Sequence, residues 1–268
     1  MKTNEKRSEK QALYLKKIKK NKIFVNILRV LIAVIFFGLW ELATDLEIID
    51  GFLMSSPSRI IKTIGELLAD GSLYVHVFTT LYETLAGFIL ATVVGTTVAL
   101  AMWWSENFRK IIEPYIIVLN GLPKIALGPI IIVWFGNGIN SIVFMAFLTA
   151  VIVTTITMIN GFLACENSKI MLLKSMGANK LQILTKLVLP SSLPTFISCL
   201  KINVGMAWIG SIIGEYLTSR QGIGYLIVYG GQVFKLDLVM ASTLILCLLA
   251  GVMYALVSLA EKLFLKKY

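Results

Sequence analysis

Chemically versatile side chains are scarce in this chain. Histidine occurs once in 268 residues, at His76, and one imidazole makes neither a metal site nor a proton relay. Cysteine occurs three times. Cys165, Cys199 and Cys247 lack metal-ligand spacing, and an odd count with no exported pair argues against a disulfide, so they are expected to be small packing residues. No cluster of His, Cys or acidic residues converges at helical spacing, which disfavours a membrane enzyme. The sequence contains no Gly-x-x-x-x-Gly-Lys-Ser/Thr phosphate loop, and Gly222-Ile223-Gly224 lacks the strand–helix context of a dinucleotide fingerprint. Charge is also sparse, at 15% of residues against 57% hydrophobic, with a mean hydropathy of +0.82. Soluble globular chains carry about a quarter charged residues, so an all-α polytopic membrane protein is expected.

Crossing a bilayer takes ~20 apolar residues at 1.5 Å rise. Six such runs are read, at 23–43, 76–102, 111–135, 139–162, 193–217 and 238–260. Glycine and proline interrupt the second and third, which membrane helices tolerate where neighbours satisfy the freed backbone. Once the spans are counted, no room is left for a large soluble domain. The expected organisation is a basic tail over 1–22 and one transmembrane domain over 23–268. The first run is too long for a signal peptide, and Trp40-Glu41 stands where a small-residue cleavage site would be needed.

Lysine and arginine set the orientation. Lys2, Lys6, Arg7, Lys10, Lys16, Lys17, Lys19, Lys20 and Lys22 precede the first span. Arg109 and Lys110, then Lys169, Lys174, Lys180 and Lys186, and finally Lys262, Lys266 and Lys267 fall on the same side. Only Arg59, Lys62, Arg220 and Lys235 face the other side, among Asp45, Glu47, Asp50, Glu66, Asp70 and Asp237. Both termini are therefore expected in the cytoplasm of a cell-membrane protein. The net charge of +10 follows from topology and leaves nothing for nucleic acid to explain. The tail, with Leu13, Tyr14, Leu15 and Ile18 among its lysines, reads equally as a basic helix on the anionic leaflet or as a disordered segment. Outside the membrane, Ser56 or Ser58 and Pro57 start a short amphipathic helix that Asp70-Gly71 ends.

The loop at 163–192 is polar and basic between two apolar runs. Gly177 permits a tight bend between two short helices. Leu181, Ile183, Leu184, Leu187, Val188 and Leu189 are expected to pack the second helix against the spans, with Pro190 and Pro194 bracketing the return to lipid. Charges within a bilayer are functional candidates. Lys124, midway along the third run, would attract an anionic substrate or pair with Glu83 or Glu215. Glu215 would act as a gate or as a packing anchor. Asn120, Asn160 and Asn203 need hydrogen-bond partners. Arg29 and Lys201 are expected to snorkel, Trp103, Trp104 and Trp134 to anchor at the interface, and Trp208 to pack in the core.

Several patches in order resemble the permease subunits of type I ABC importers, in the nitrate/sulfonate/taurine-like group. They are Gly177-Ala178 followed by Leu189-Pro190; Pro-Lys-Ile-Ala-Leu-Gly-Pro-Ile-Ile-Ile-Val-Trp-Phe-Gly at 123–136; Glu215 followed by Gly-Ile-Gly-Tyr-Leu at 222–226; and Pro57 within the turn at 52–60. The resemblance covers 52–227. It implies a cytoplasmic coupling loop that docks an ATP-binding ABC subunit through Met171, Lys174, Ser175, Gly177, Ala178, Asn179, Leu189 and Pro190. It further implies an extracytoplasmic substrate-binding protein, a second permease copy, and a pathway whose candidates are Glu83, Asn120, Lys124, Asn203 and Glu215. Under it ATP and Mg belong to the partner ATPase, this chain binds no cofactor and is no enzyme, and the cargo is a small solute such as a sulfonate, nitrate, taurine-like anion or vitamin precursor. Two departures stand out. Met171-Leu172-Leu173 replaces the family's Glu-Ala-Ala, and Glu83 lies near a position that is commonly basic there. The competing expectation is a stand-alone secondary transporter or channel, which leaves the loop without a task; the absence of an internal repeat counts against it.

Overall fold

The computed structural model describes the backbone of residues 2–265 and the side chains of residues 14–262. The basic side chains read at Lys2, Lys6, Arg7, Lys10, Lys266 and Lys267 lie outside the described residues. The described chain is helical throughout: α1 Lys2–Asp45, α2 Gly51–Met54, α3 Pro57–Ala69, α4 Ser72–Trp104, α5 Glu106–Gly121, α6 Gly128–Phe135, α7 Ile139–Leu163, α8 Asn167–Ser175, α9 Lys180–Ile183, α10 Leu189–Thr218, α11 Ile223–Gln232 and α12 Leu236–Leu265. Contacts divide it into residues 1–63 and 64–268.

In the first unit, α1 runs unbroken past residue 22, where sequence composition places the end of the tail. Asp50 caps α2 by accepting from the Phe52 amide at 2.8 Å. Pro57 opens α3, whose Arg59 amide donates to the Ser56 hydroxyl at 3.4 Å, and the Ser58 amide donates to the Glu41 carboxylate at 2.9 Å. These bonds fold the turn that Ser-Pro-Ser dictates.

The second unit is built on α7, packed between α4 and α10. Small residues bring the backbones together. Gly87, Ala91, Gly95 and Ala99 form a buried stripe on α4, while Gly210 and Gly214 on α10 face Ala146 and Ile142 of α7. A Cβ on Gly210 would lie 2.5 Å from the Ala146 backbone. Such close approach is how membrane helices associate without a hydrophobic driving force between them. α4 is therefore continuous through its glycines, which mark contacts and not the interruption that composition suggests.

Five helices are long and apolar enough to cross a membrane, and six if the bent pair Glu106–Gly121 and Lys124–Phe135 is one span. That third span is a correction to the sequence reading: it turns by 93° at 122–127. Pro123 lacks a donor and cannot continue α5, and a short 3₁₀ turn, Lys124–Leu127, connects to α6. Lys124 is thus not on a continuous helix. The fifth span also differs, because Pro190 sits in the first turn of α10 and Pro194 inside it, so the helix begins before the expected point.

Candidate functional site

The loop between α7 and α10 is a defined structure. The Ala178 amide donates to the Leu173 carbonyl and the Gly177 amide to the Lys174 carbonyl, both at 2.9 Å. These two bonds end α8 in the manner of a Schellman motif, which places a glycine in the left-handed region just past the helix. Gly177 has φ +80°. Asn179 and Gln182 then form a reciprocal capping box at the start of α9, each bond 2.8 Å. At the other end of α8, Glu166 accepts from Ser168 and pairs with Lys169 at 3.1 Å. The Ser168 hydroxyl, and then Lys169, hold its carboxyl below the usual range.

Two anchors fix this loop. Ile183, Leu184 and Val188 are buried among Ala99, Met102, Met158 and Phe162, joining the ends of α4 and α7 to the root of α10. The Lys180 ammonium donates to the Trp104 carbonyl, the end of α4, and stands 5.4 Å from the Trp104 ring centroid. A cation there answers an orphan carbonyl and the negative end of the helix dipole. Leu181 and Leu189 do not pack inward as their pattern predicts; both are exposed. With Met171, Leu172 and Met176, the last 74% exposed, Leu181 leaves an apolar patch on a basic loop. Lys174, Ser175, Gly177 and Asn179 are exposed beside it, and Pro190 is half-buried. An apolar patch rimmed by charge marks an interaction surface.

Opposite the loop, α11 begins inside the bundle, and side chains of α4 and α10 answer its first amides. The Gly222 amide donates to His76 Nδ1 at 3.0 Å and the Ile223 amide to Thr80 Oγ1 at 2.8 Å. The Gly224 and Tyr225 amides donate to Glu215 Oε2 at 2.5 and 3.2 Å. Glu215 is 1% exposed. Of the alternatives left open by sequence, the geometry gives it an anchoring position. Glu83 is its fully buried neighbour. Glu83 borders an indentation of about 350 Å³ that Thr79, Asn137, Thr218 and Arg220 also line.

The remaining polar candidates are dispersed. Asn203 is buried and donates to Thr154 at 2.7 Å and Thr92 at 3.2 Å, knotting α10, α7 and α4. Thr84 and Ser211 add a 2.7 Å bond between α4 and α10. Lys201 does not snorkel as a free cation; it pairs with Glu261 of α12 at 2.5 Å. Lys124 meets neither Glu83 nor Glu215. Its ammonium donates to the Asn120 carbonyl at 2.9 Å, at the end of α5, and Asn120 itself is exposed. Trp208 is buried, as its position within a span predicts. His76, Thr80 and Lys180 are structural participants that composition alone passed over, because their partners lie far away in sequence. The four-residue spacing of Gly210 and Gly214 was the available signal for the α7–α10 contact.

Residues 84–268 match the family model described as binding-protein-dependent transport system inner membrane component. The chain is 32% identical over 188 residues to the formylaminopyrimidine transport permease protein of Halalkalibacterium halodurans, covering 70% of this chain and 74% of that one. It is 24% identical over 224 residues to the taurine transport system permease protein of Escherichia coli, covering 82% and 81%. Its fold is similar to a chain of an inward-facing methionine ABC transporter, with a TM-score of 0.62 at 18% identity, over 70% of this chain and 93% of that one.

Proposed function

The chain belongs to the family of binding-protein-dependent transport system inner membrane components, and from that premise we propose how it takes part in ATP-driven import. It is the multi-pass membrane permease of an ABC importer. Two copies enclose the pathway. An ATP-binding ABC subunit docks at the 163–192 loop, and a substrate-binding protein delivers cargo on the opposite face. ATP and Mg are used in the ATP-binding subunit, and this chain contributes no catalytic residue and no cofactor. The lysine and arginine asymmetry supports both termini in the cytoplasm.

The observation that carries the reading is the loop itself. A Schellman turn and a capping box stiffen it, two anchors tie it to α4, α7 and α10, and Met171, Leu172, Met176 and Leu181 project outward. A rigid element so tied transmits a push on the loop directly to the spans. Met171 supplies apolar contact to the docked subunit. Lys174, Ser175, Gly177, Ala178 and Asn179 shape or rim the docking surface, and Leu189-Pro190 starts the helix that moves. A stand-alone transporter or channel would have no use for this construction.

Of the pathway candidates, Asn120 and Lys124 are the accessible ones, and we assign them to the passage. Glu83, Asn203 and Glu215 are buried and hold helices together around it. The cargo class we propose is a small sulfonate, nitrate or taurine-like anion, or a vitamin precursor, in keeping with relatives named for taurine and formylaminopyrimidine. The test is uptake of taurine, an alkanesulfonate, nitrate and formylaminopyrimidine by cells with and without the chain, before and after ATP depletion. Uptake of one of them that needs both the chain and ATP supports the assignment. Chain-dependent uptake that survives ATP depletion refutes it.

A further inference from the structure

Two carboxyls meet where α4, α10 and α11 come together. The Thr84 and Ser211 hydroxyls share a 2.7 Å bond that sets α4 against α10. One turn beyond them, Thr80 and Glu215 both receive amides from the start of α11. Glu83 stands between Thr80 and Thr84 on α4, and its carboxyl is hydrogen-bonded to that of Glu215. No amide, hydroxyl or cation among the described residues reaches a Glu83 oxygen. Glu83 and Glu215 are 0% and 1% exposed, so bulk water does not separate them. Ionised carboxylates only accept hydrogen bonds, and two in contact away from water repel too strongly for both to be ionised. One hydrogen must lie between them. Glu215 already accepts the Gly224 and Tyr225 amides through Oε2, so Glu83 is the donor.

The neighbouring groups do not supply that hydrogen. His76 on α4 spends Nδ1 on the Gly222 amide and stacks on Tyr225 of α11, with ring centroids 6.0 Å apart. Tyr216 follows Glu215 on α10 but is exposed. Helix α7 presents Ile139 and Ile142, and α12 packs Leu238 and Ile245 against α11. Arg220 is exposed on the rim of the 350 Å³ indentation, and among the described residues it forms no ion pair with either carboxyl. Glu83 borders that indentation, which brings solvent to the edge of the pair.

We infer that Glu83 and Glu215 form a binding site for a single proton, exchanged through this indentation, and that the proton is the link joining α4 to α10 and the start of α11. This goes beyond the permease reading and does not depend on it. Release of the proton to water in the indentation leaves two carboxylates in contact, whereas an unfolded glutamate gives up its proton at about pH 4.3. The stability contributed by the shared proton is therefore complete below that pH. It declines above it until the folded protein itself releases the proton.

The test compares the wild-type complex with Glu83→Gln, whose amide keeps a hydrogen toward Glu215 at every pH. The infrared spectrum of wild type minus that of the variant is expected to show the C=O stretch of a protonated carboxyl at neutral pH, lost at alkaline pH. The melting temperature of wild type should fall relative to that of Glu83→Gln as the pH is raised from mildly acidic to mildly alkaline. Absence of the carboxyl band at neutral pH overturns the proposal, and so do melting temperatures that run parallel with pH. Sodium that raises the melting temperature of wild type but not of Glu83→Gln, with no carboxyl band, would make the pair a metal-cation site and overturn it equally. If Glu83→Gln does not assemble, the band is followed with pH in wild type alone, and its absence at neutral pH still refutes the shared proton.

Discussion

The Glu215 carboxyl occupies the space that a side chain on Gly222 would fill: a Cβ there would lie 2.4 Å from the carboxyl carbon. Gly222 also has φ +110°, a conformation that side-chain-bearing residues rarely adopt. The acid and the glycine are therefore one device, which lets a helix begin inside the bundle with its amides answered by Glu215, Thr80 and His76. Gly222→Ala is expected to lower stability by about 3 kcal/mol, from backbone strain and displaced hydrogen bonds. Thermal unfolding of the solubilised complex should show it. A change no larger than that from Gly231→Ala, where the site is open, would contradict the arrangement.

Small-residue packing makes a paired prediction on α10. Gly210→Ala would force the α10 and α7 backbones apart, destabilising by about 1–3 kcal/mol. Gly205→Ala, with nothing within 4 Å, should be neutral or stabilising by up to about 1 kcal/mol, as expected for glycine inside a helix. Comparing the melting temperatures of the two variants checks this.

Asn203→Leu removes the bonds to Thr154 and Thr92. Interhelical hydrogen bonds in membranes contribute about 1 kcal/mol, so a small loss of stability is expected, with uptake retained in proportion to the folded protein. Abolished uptake at normal folded abundance would move Asn203 into the passage.

Lys124→Ala should impair uptake several-fold while the ATP-binding subunit still co-purifies, because the Lys124 ammonium, which donates to the Asn120 carbonyl at the end of α5, is assigned to the passage in the reading proposed above. Lys124→Arg should retain most activity. Wild-type uptake by Lys124→Ala would remove this residue from the pathway.

Hydropathy alone located the spans, since a bilayer imposes length and apolarity on each helix independently of its neighbours. The loop was legible for a similar reason: Gly177, Ala178, Asn179 and Gln182 act within a few residues of one another. The break at 122–127 was not, because Pro123 and Gly128 stand in a run that remains apolar on both sides, and hydropathy carries no direction. The partners of Glu215 and the Lys180–Trp104 bond escaped sequence reasoning because each depends on helices brought together from distant parts of the chain. Lys124 and Glu83 illustrate the same limit. Both were noticed as intramembrane charges, but only the fold separates the accessible ammonium from the buried carboxyl.

Co-purification tests the central claim most directly. The tagged chain is extracted in gentle detergent, with and without Gly177→Trp, and the proteins retained are identified by mass spectrometry. A left-handed glycine at the loop's turn predicts that an ATP-binding subunit accompanies the unaltered chain in stoichiometric amount and is lost from the variant, while both chains remain in the membrane. An unaltered chain that brings no ATP-binding subunit, under conditions that keep a known importer whole, would contradict the importer reading. Full retention by Gly177→Trp would contradict the assignment of the loop.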